Sequence, residues 1–325
     1  MSSALDALRL DFPQYEIQAH SVWDKLFYIA EAREDGVQPV FVQAESADRL
    51  RGKLRSPIRP FRSAGEPSIP RVYDYLLGGK NNFAADRQQA KKLLKVFPCT
   101  GQLASESRQF QRRAVRYVAS RGVTQFIDLG CGLPTNPNTH ETAQEVQPGA
   151  RTVYVDNDEL VLSHAQNILA KSKDVLAVAG NLEHPDEVLY DWRVRKFIDF
   201  FQPMCVISTM TLHFYEAQTA CKIMAQVIDR IPYGSYVVLS VGQLEGDYGE
   251  EFTREYDAAP LYHHGQDDVA SFLEGLEPVG PAVTEAYKWR AAIPSLDSSR
   301  RGHIWAAVGR KANPDTSRRH PAGPS

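Results

Sequence analysis

Asp128, Gly130 and Gly132 lie within TQFIDLGCGLP, residues 124–134. The apolar pair Phe126-Ile127 ahead of them predicts a buried strand that runs into a tight loop. Glycine suits such a loop because a side chain would fill a ligand's space, or because φ must be positive. About one strand–helix unit later a second apolar strand, Thr152–Val155, ends in Asp156, with Asn157 beside it. A carboxylate there can accept hydrogen bonds from both hydroxyls of a ribose. Glycine turn plus downstream acid is the layout of a nucleotide-binding βαβ unit.

The nucleotide is read from what the loop lacks. A dinucleotide site favours a third glycine for close helix–strand packing, and Thr135 stands there instead. Asp128, two residues ahead of the glycines, suits a ligand with an ammonium group, one nucleoside and no pyrophosphate. S-adenosyl-L-methionine is such a ligand and is the expected cofactor. A nicotinamide-dependent oxidoreductase is the alternative that Thr135 disfavours, and a ligand-free tight turn in an α/β domain is the plain structural one. The fourth predicted strand ends in Ser208-Thr209-Met210-Thr211-Leu212-His213. Ligands of open parallel sheets sit beyond the carboxyl ends of the strands. His213 is therefore the candidate general base, with His263, His264 and Tyr262 as weaker ones, and a structural histidine is the competing reading. No histidine or cysteine spacing supports a metal site.

These residues need a scaffold, and the chain can supply one. Its 325 residues are enough for one large domain or a domain with an appended module. Hydrophobic residues at 43%, charged residues at 24% and a net charge of −3 are ordinary for a globular chain and give no nucleic-acid footprint. No apolar run approaches the ~20 residues that span a bilayer. The start, MSSALDALRLDFPQYE, lacks a basic segment followed by an apolar core, so a cytoplasmic protein is expected. Cys99, Cys131, Cys205 and Cys221 are expected to be reduced thiols.

Residues 1–55 read as a small α+β module. Trp23, Leu26, Phe27, Ile29 and Ala30 recur at helical spacing and predict a helix ended by Gly36; a strand over 39–44 and a helix over 47–54 follow. Residues 56–70 are proline-rich and read as a linker. Helices are expected over 71–77, 86–97 and 105–120. Strands at 124–129, 151–155, 174–178, 203–209 and 235–241 then alternate with helices near 138–147, 158–171, 185–190 and 216–230. A helix over 267–275 and late strands near 281–286 and 303–309 complete the domain, taken as residues 71–310, before a disordered tail over 311–325. This alternation predicts a doubly covered parallel sheet.

RVYDYLLGGKNNFAADR, FIDLGCGLPTNPNTHE and VYVDND together resemble a bacterial family of S-adenosylmethionine-dependent methyltransferases long known as a domain of unknown function. The likeness spans roughly residues 66–310 and includes Trp289. It implies a Rossmann-like class I fold, an α/β seven-stranded mostly parallel sheet with the last strand antiparallel, preceded by N-terminal helices. It also implies that Arg71, Tyr73, Tyr75, Gly78, Gly79, Lys80 and Asn82 form a site segment. In that segment an arginine meets the cofactor carboxylate and a tyrosine stacks on the cofactor. It further implies that Asn181, where the family usually has Asp, and the backbone of Leu182 meet the adenine. The expected activity is methyl transfer to an unidentified small molecule, with a non-catalytic S-adenosylmethionine-binding sensor or scaffold as the alternative.

Overall fold

The computed structural model describes residues 2–22, 25–33, 41–44, 46–55, 64–169, 172–291 and 301–313. Trp23, Gly36, most of the predicted linker and most of the predicted tail lie outside them. Helix α1 (Ser2–Asp11) leads into an antiparallel sheet of β1 (Tyr15–Val22), β2 (Lys25–Ala32) and β3 (Phe41–Ala44), followed by helix α2 (Ala47–Arg55). The expected helix around residues 23–30 is thus strand β2. Tyr28 and Ala30 pack with Leu8, Phe12 and Leu50, whereas Phe27, on the opposite face, stacks on Tyr190. A strand covered on both faces loses its polar alternation, and a short apolar run then cannot be told from a helix by period.

Helices α3 (Ile69–Leu76), α4 (Ala84–Val96) and α5 (Thr100–Ser120) precede the main sheet. The alternating part runs β4 (Gln125–Leu129), α6 (Thr139–Gln144), β5 (Arg151–Asp156), α7 (Glu159–Leu169), β6 (Val175–Ala179), α8 (Pro185–Leu189), α9 (Trp192–Phe197), β7 (Cys205–Thr209), a 3₁₀ turn (Leu212–Phe214), α10 (Ala217–Arg230) and β8 (Tyr236–Leu244). It closes with α11 (Asp247–Glu255), α12 (Gln266–Ser271), β9 (Glu277–Pro278), β10 (Thr284–Glu285) and β11 (Gly302–Arg310). Helices α9 and α11 were not expected. Helix α11 buries only Gly249 and Phe252, too little for an apolar stripe to show in sequence.

The strand order is β10-β11-β8-β7-β4-β5-β6, with the two-residue β9 added beside β11. Strands β4 to β8 pair in parallel, and β11 is antiparallel to β8. The seven expected strands are present, and β9 is a short eighth among the described residues. Alternate side chains feed two cores. Ile127, Val206 and Leu239 join one core with α10, while Phe126, Ile207 and Val238 join the other with α5. Each fully buried Phe, Ile or Val contributes about 1.5–3 kcal/mol. Trp289 is in this second core, edge-on to Phe110 and Tyr117. The chain leaves β4 for β5 on one side and returns to β7 on the other. That reversal opens a crevice at the carboxyl ends of both strands, where ligands of such sheets bind. Among the described residues no helix is long and apolar enough to cross a membrane.

Candidate active site

A cavity of about 680 Å³ occupies this crevice, within the usual range of small-molecule sites. Its floor is the loop after β4. Gly130 and Gly132 have φ of +69° and +65°, the left-handed region that glycine adopts without penalty. A Cβ on Gly130 would collide with Thr211 Cγ2. The loop is held by β5: Gly130 N–H donates to Val155 O at 2.8 Å, and Gly132 N–H donates to Asp156 Oδ2 at 2.9 Å.

Asp156 lines the cavity at the end of β5, beside Asn157. Its Oδ1 accepts from Asp158 N–H at 3.0 Å, which fixes the carboxylate in place. Burial raises its pKa to about 6, against the pull of the Gly132 and Asp158 amides. Asp128 stands elsewhere. Only 2% exposed, it sits behind the loop, off the cavity wall, with Oδ2 accepting from Thr139 Oγ1 at 2.6 Å and Gln111 Nε2 at 3.1 Å. Burial raises its pKa too, with Thr139, Arg108 and Gln111 opposing.

The tyrosine–glycine segment divides. Tyr73 lines the cavity and donates its hydroxyl to Ala104 O at 3.0 Å. Arg71 does not: it is 1% exposed and locked to Asp86, with Nε 3.0 Å from Oδ2. Tyr75 packs against the α5-side core. Gly78 has φ +79° and ends α3, off the cavity wall. The turn through Gly79, Lys80 and Asn82 wraps Asp74, which accepts from Asn81 N–H at 2.9 Å and Asn82 Nδ2 at 2.7 Å. The segment closes the carboxyl end of α3, where Gly78 and Gly79 N–H donate to the Tyr75 and Asp74 carbonyls that the helix leaves open.

The arginine that does reach the cavity is Arg108, on α5. Its guanidinium lies over the Tyr73 ring at 5.3 Å and donates to Gln111 Oε1 at 2.9 Å and Cys131 O at 3.3 Å. Its buried Nε meets no partner among the described residues. A buried charged donor left open is costly, and it suits an anion entering the cavity. Sequence reasoning missed Arg108 because it sits in the arginine-rich run RQFQRR, where nothing local separates one arginine from the next.

Asn181 and Leu182, after β6, line the same cavity, and Asn181 Oδ1 accepts from Glu183 N–H at 3.1 Å. His213 also lines it, 5% exposed, with Gly242 N–H donating to its Nδ1 at 3.4 Å. Burial, then His264 and His263, push its pKa down to about 3. With Nδ1 accepting, the neutral ring carries its proton on Nε2 and presents a donor. His263 is arranged alike, Nδ1 accepting from Leu244 N–H at 3.3 Å and Nε2 3.1 Å from Gly249 O. His264 is off the wall, its Nε2 donating to Tyr215 O at 3.0 Å. Tyr262 is tied through its backbone to His213 O. Met210 holds φ +56° at the end of β7, a strained backbone of the kind found at functional sites.

The fold and this crevice define an open α/β nucleotide-site protein, and the comparisons narrow the class. Residues 62–312 match the model of the S-adenosyl methyltransferase family. The chain belongs to that family and is an S-adenosylmethionine-dependent methyltransferase. A candidate methyltransferase from Thermobifida fusca is 32% identical, with 79% of this chain and 99% of that chain covered and a TM-score of 0.72. A DUF574 family protein from Streptomyces avermitilis is also 32% identical, with 76% and 98% covered and a TM-score of 0.71. No curated protein matches the chain in sequence. The cavity's residues fit the cofactor: a loop of two left-handed glycines whose backbone lines the cavity, an open arginine donor suited to a carboxylate and a buried acceptor carboxylate suited to hydroxyls.

Proposed function

We propose that the enzyme methylates a small, largely apolar acceptor whose reacting atom brings its own lone pair, such as an amine or thiolate. The observation that carries this is an apolar stretch of the cavity wall. Val72, Leu76, Leu93, Leu103, Phe252 and Tyr256 line it, and Tyr256 is stacked between Phe214 and Phe252 at 6.1 and 6.3 Å. Such a wall favours a flat apolar molecule over a charged polymer. His213 carries its proton on Nε2, and both ring nitrogens of His263 are engaged by Leu244 N–H and Gly249 O, so neither is poised to take a proton.

When bound, S-adenosylmethionine supplies an activated methyl on a sulfonium. The protein's own share is alignment and exclusion of water. In this reading Arg108 holds the cofactor carboxylate, Asp156 the ribose hydroxyls with Asn157 beside it, and the Asn181–Leu182 turn the adenine. Gly130 and Gly132 give room for the amino-acid part. Asp128 acts through Gln111 and Thr139, setting Gln111 against Arg108. Met210, Thr211 and His213 line the cavity just after β7.

Labelled S-adenosylmethionine incubated with the protein and a fractionated small-molecule extract tests the proposal. The expected product is a methylated apolar amine or thiol. Label recovered only in a neutral aliphatic alcohol, or in macromolecules, would sink it.

A further inference from the structure

The family match begins at residue 62, yet two residues ahead of it line the cofactor cavity: Val42 and Gln43 of strand β3. Gln43 is 6% exposed, and its Nε2 lies 3.5 Å from the carbonyl of Glu187 in α8, the helix that follows the Asn181–Leu182 turn. The contact has a second anchor. Phe27 of the adjacent strand β2 is fully buried and stacks on Tyr190 with centroids 5.0 Å apart and rings 29° from parallel. Tyr190 caps the carboxyl end of α8. Asp191 and Arg193, paired at 2.6 Å, line the cavity just beyond. The same small sheet therefore reaches α8 at two points, Glu187 within it and Tyr190 at its carboxyl end, and the first of these contacts opens onto the cavity.

We infer that the N-terminal sheet is a wall of the cofactor pocket, closing its adenine end with β3 and presenting the Gln43 carboxamide to the purine. The inference rests on the assignment of the Asn181–Leu182 turn to adenine. A carboxamide carries both a donor and an acceptor, as the edge of adenine does. The sheet is also held by a stacked aromatic pair, so the wall is fixed before ligand arrives. That lowers the ordering cost of binding and slows release.

Hydrogen exchange on the full-length protein, with and without S-adenosylhomocysteine, tests this without altering any residue. Amides over 41–44 should exchange about tenfold more slowly with ligand, together with those of 130–132 and 181–182. In parallel, Gln43→Ala should weaken S-adenosylhomocysteine about fivefold by calorimetry, the loss of one to two hydrogen bonds. Phe27→Ala, if it stays folded by circular dichroism, should speed ligand release by a similar factor. Protection at 130–132 and 181–182 with none at 41–44, and full affinity in Gln43→Ala, would overturn the wall and leave the cofactor site standing. Protection at none of these segments would instead overturn the site assignment beneath it.

Discussion

Asp156 is placed to make cofactor affinity depend on pH, and the size of the effect follows from its surroundings. Its carboxyl is 7% exposed and its pKa is raised to about 6. Moving a carboxyl there from its usual 3.8 corresponds to about 3 kcal/mol in favour of the protonated form. The raised value sets the sign. This part of the fold's stability is present in full below the ordinary carboxyl range and is lost as pH rises through about 6. Asp156→Asn also disturbs the bonds to Gly132 and Asp158, so its absolute stability is not the useful quantity. Its difference from wild type between pH 4.5 and pH 8 is, because the hydrogen-bond cost cancels. Asp156→Asn should gain about 2 kcal/mol on wild type over that interval in ligand-free urea titrations, the remaining third of the shift lying below pH 4.5. Binding runs the other way, because both ribose hydroxyls need an acceptor. S-adenosylhomocysteine should bind wild type about tenfold more weakly at pH 5 than at pH 8, and Asp156→Asn should bind weakly at both. Calorimetry at four pH values reads this directly. A wild-type Kd that stays constant between pH 5 and 8 would refute the assignment of Asp156 to the ribose.

Arg108→Ala should cost S-adenosylhomocysteine at least about tenfold in affinity, the value of a charged hydrogen bond, while 5′-methylthioadenosine, which lacks the carboxylate, loses little. Equal losses for both ligands would show that Arg108 only supports the loop. Gly130→Ala places a Cβ against Thr211 Cγ2 at a positive φ, so it should lower stability by about 2 kcal/mol or more. Adding Thr211→Ser, which removes that methyl and keeps the hydroxyl bonded to Ser208, should recover part of the loss in thermal unfolding. His213→Gln should keep kcat within about threefold, because a base contributes 10²–10⁴ and His213 is built as a donor. A drop beyond about a hundredfold at pH 7.5, in a folded variant, would restore the base.

The sequence alone determined the strand–glycine–acid frame. DLGCG and VYVD are local signals, because a parallel strand buried on both faces must be a short apolar run and a loop under a ligand must be glycine. The alternation that orders the sheet was legible for the same reason. Spacing could not say which way a side chain points once the chain is folded. Arg71 and Arg108 both lie on helices ahead of β4, and the crossing of α3 and α5 gives Arg71 to Asp86 and Arg108 to the cavity. Asp128 is at the expected position, but α5 and α6 supply Gln111 and Thr139 to cover it. Packing also decided the protonation of His213, since burial and the Gly242 amide act through space. Strand β2 hid for a related reason: its second face is covered by Tyr190, far along the chain, and no local pattern encodes a partner that distant.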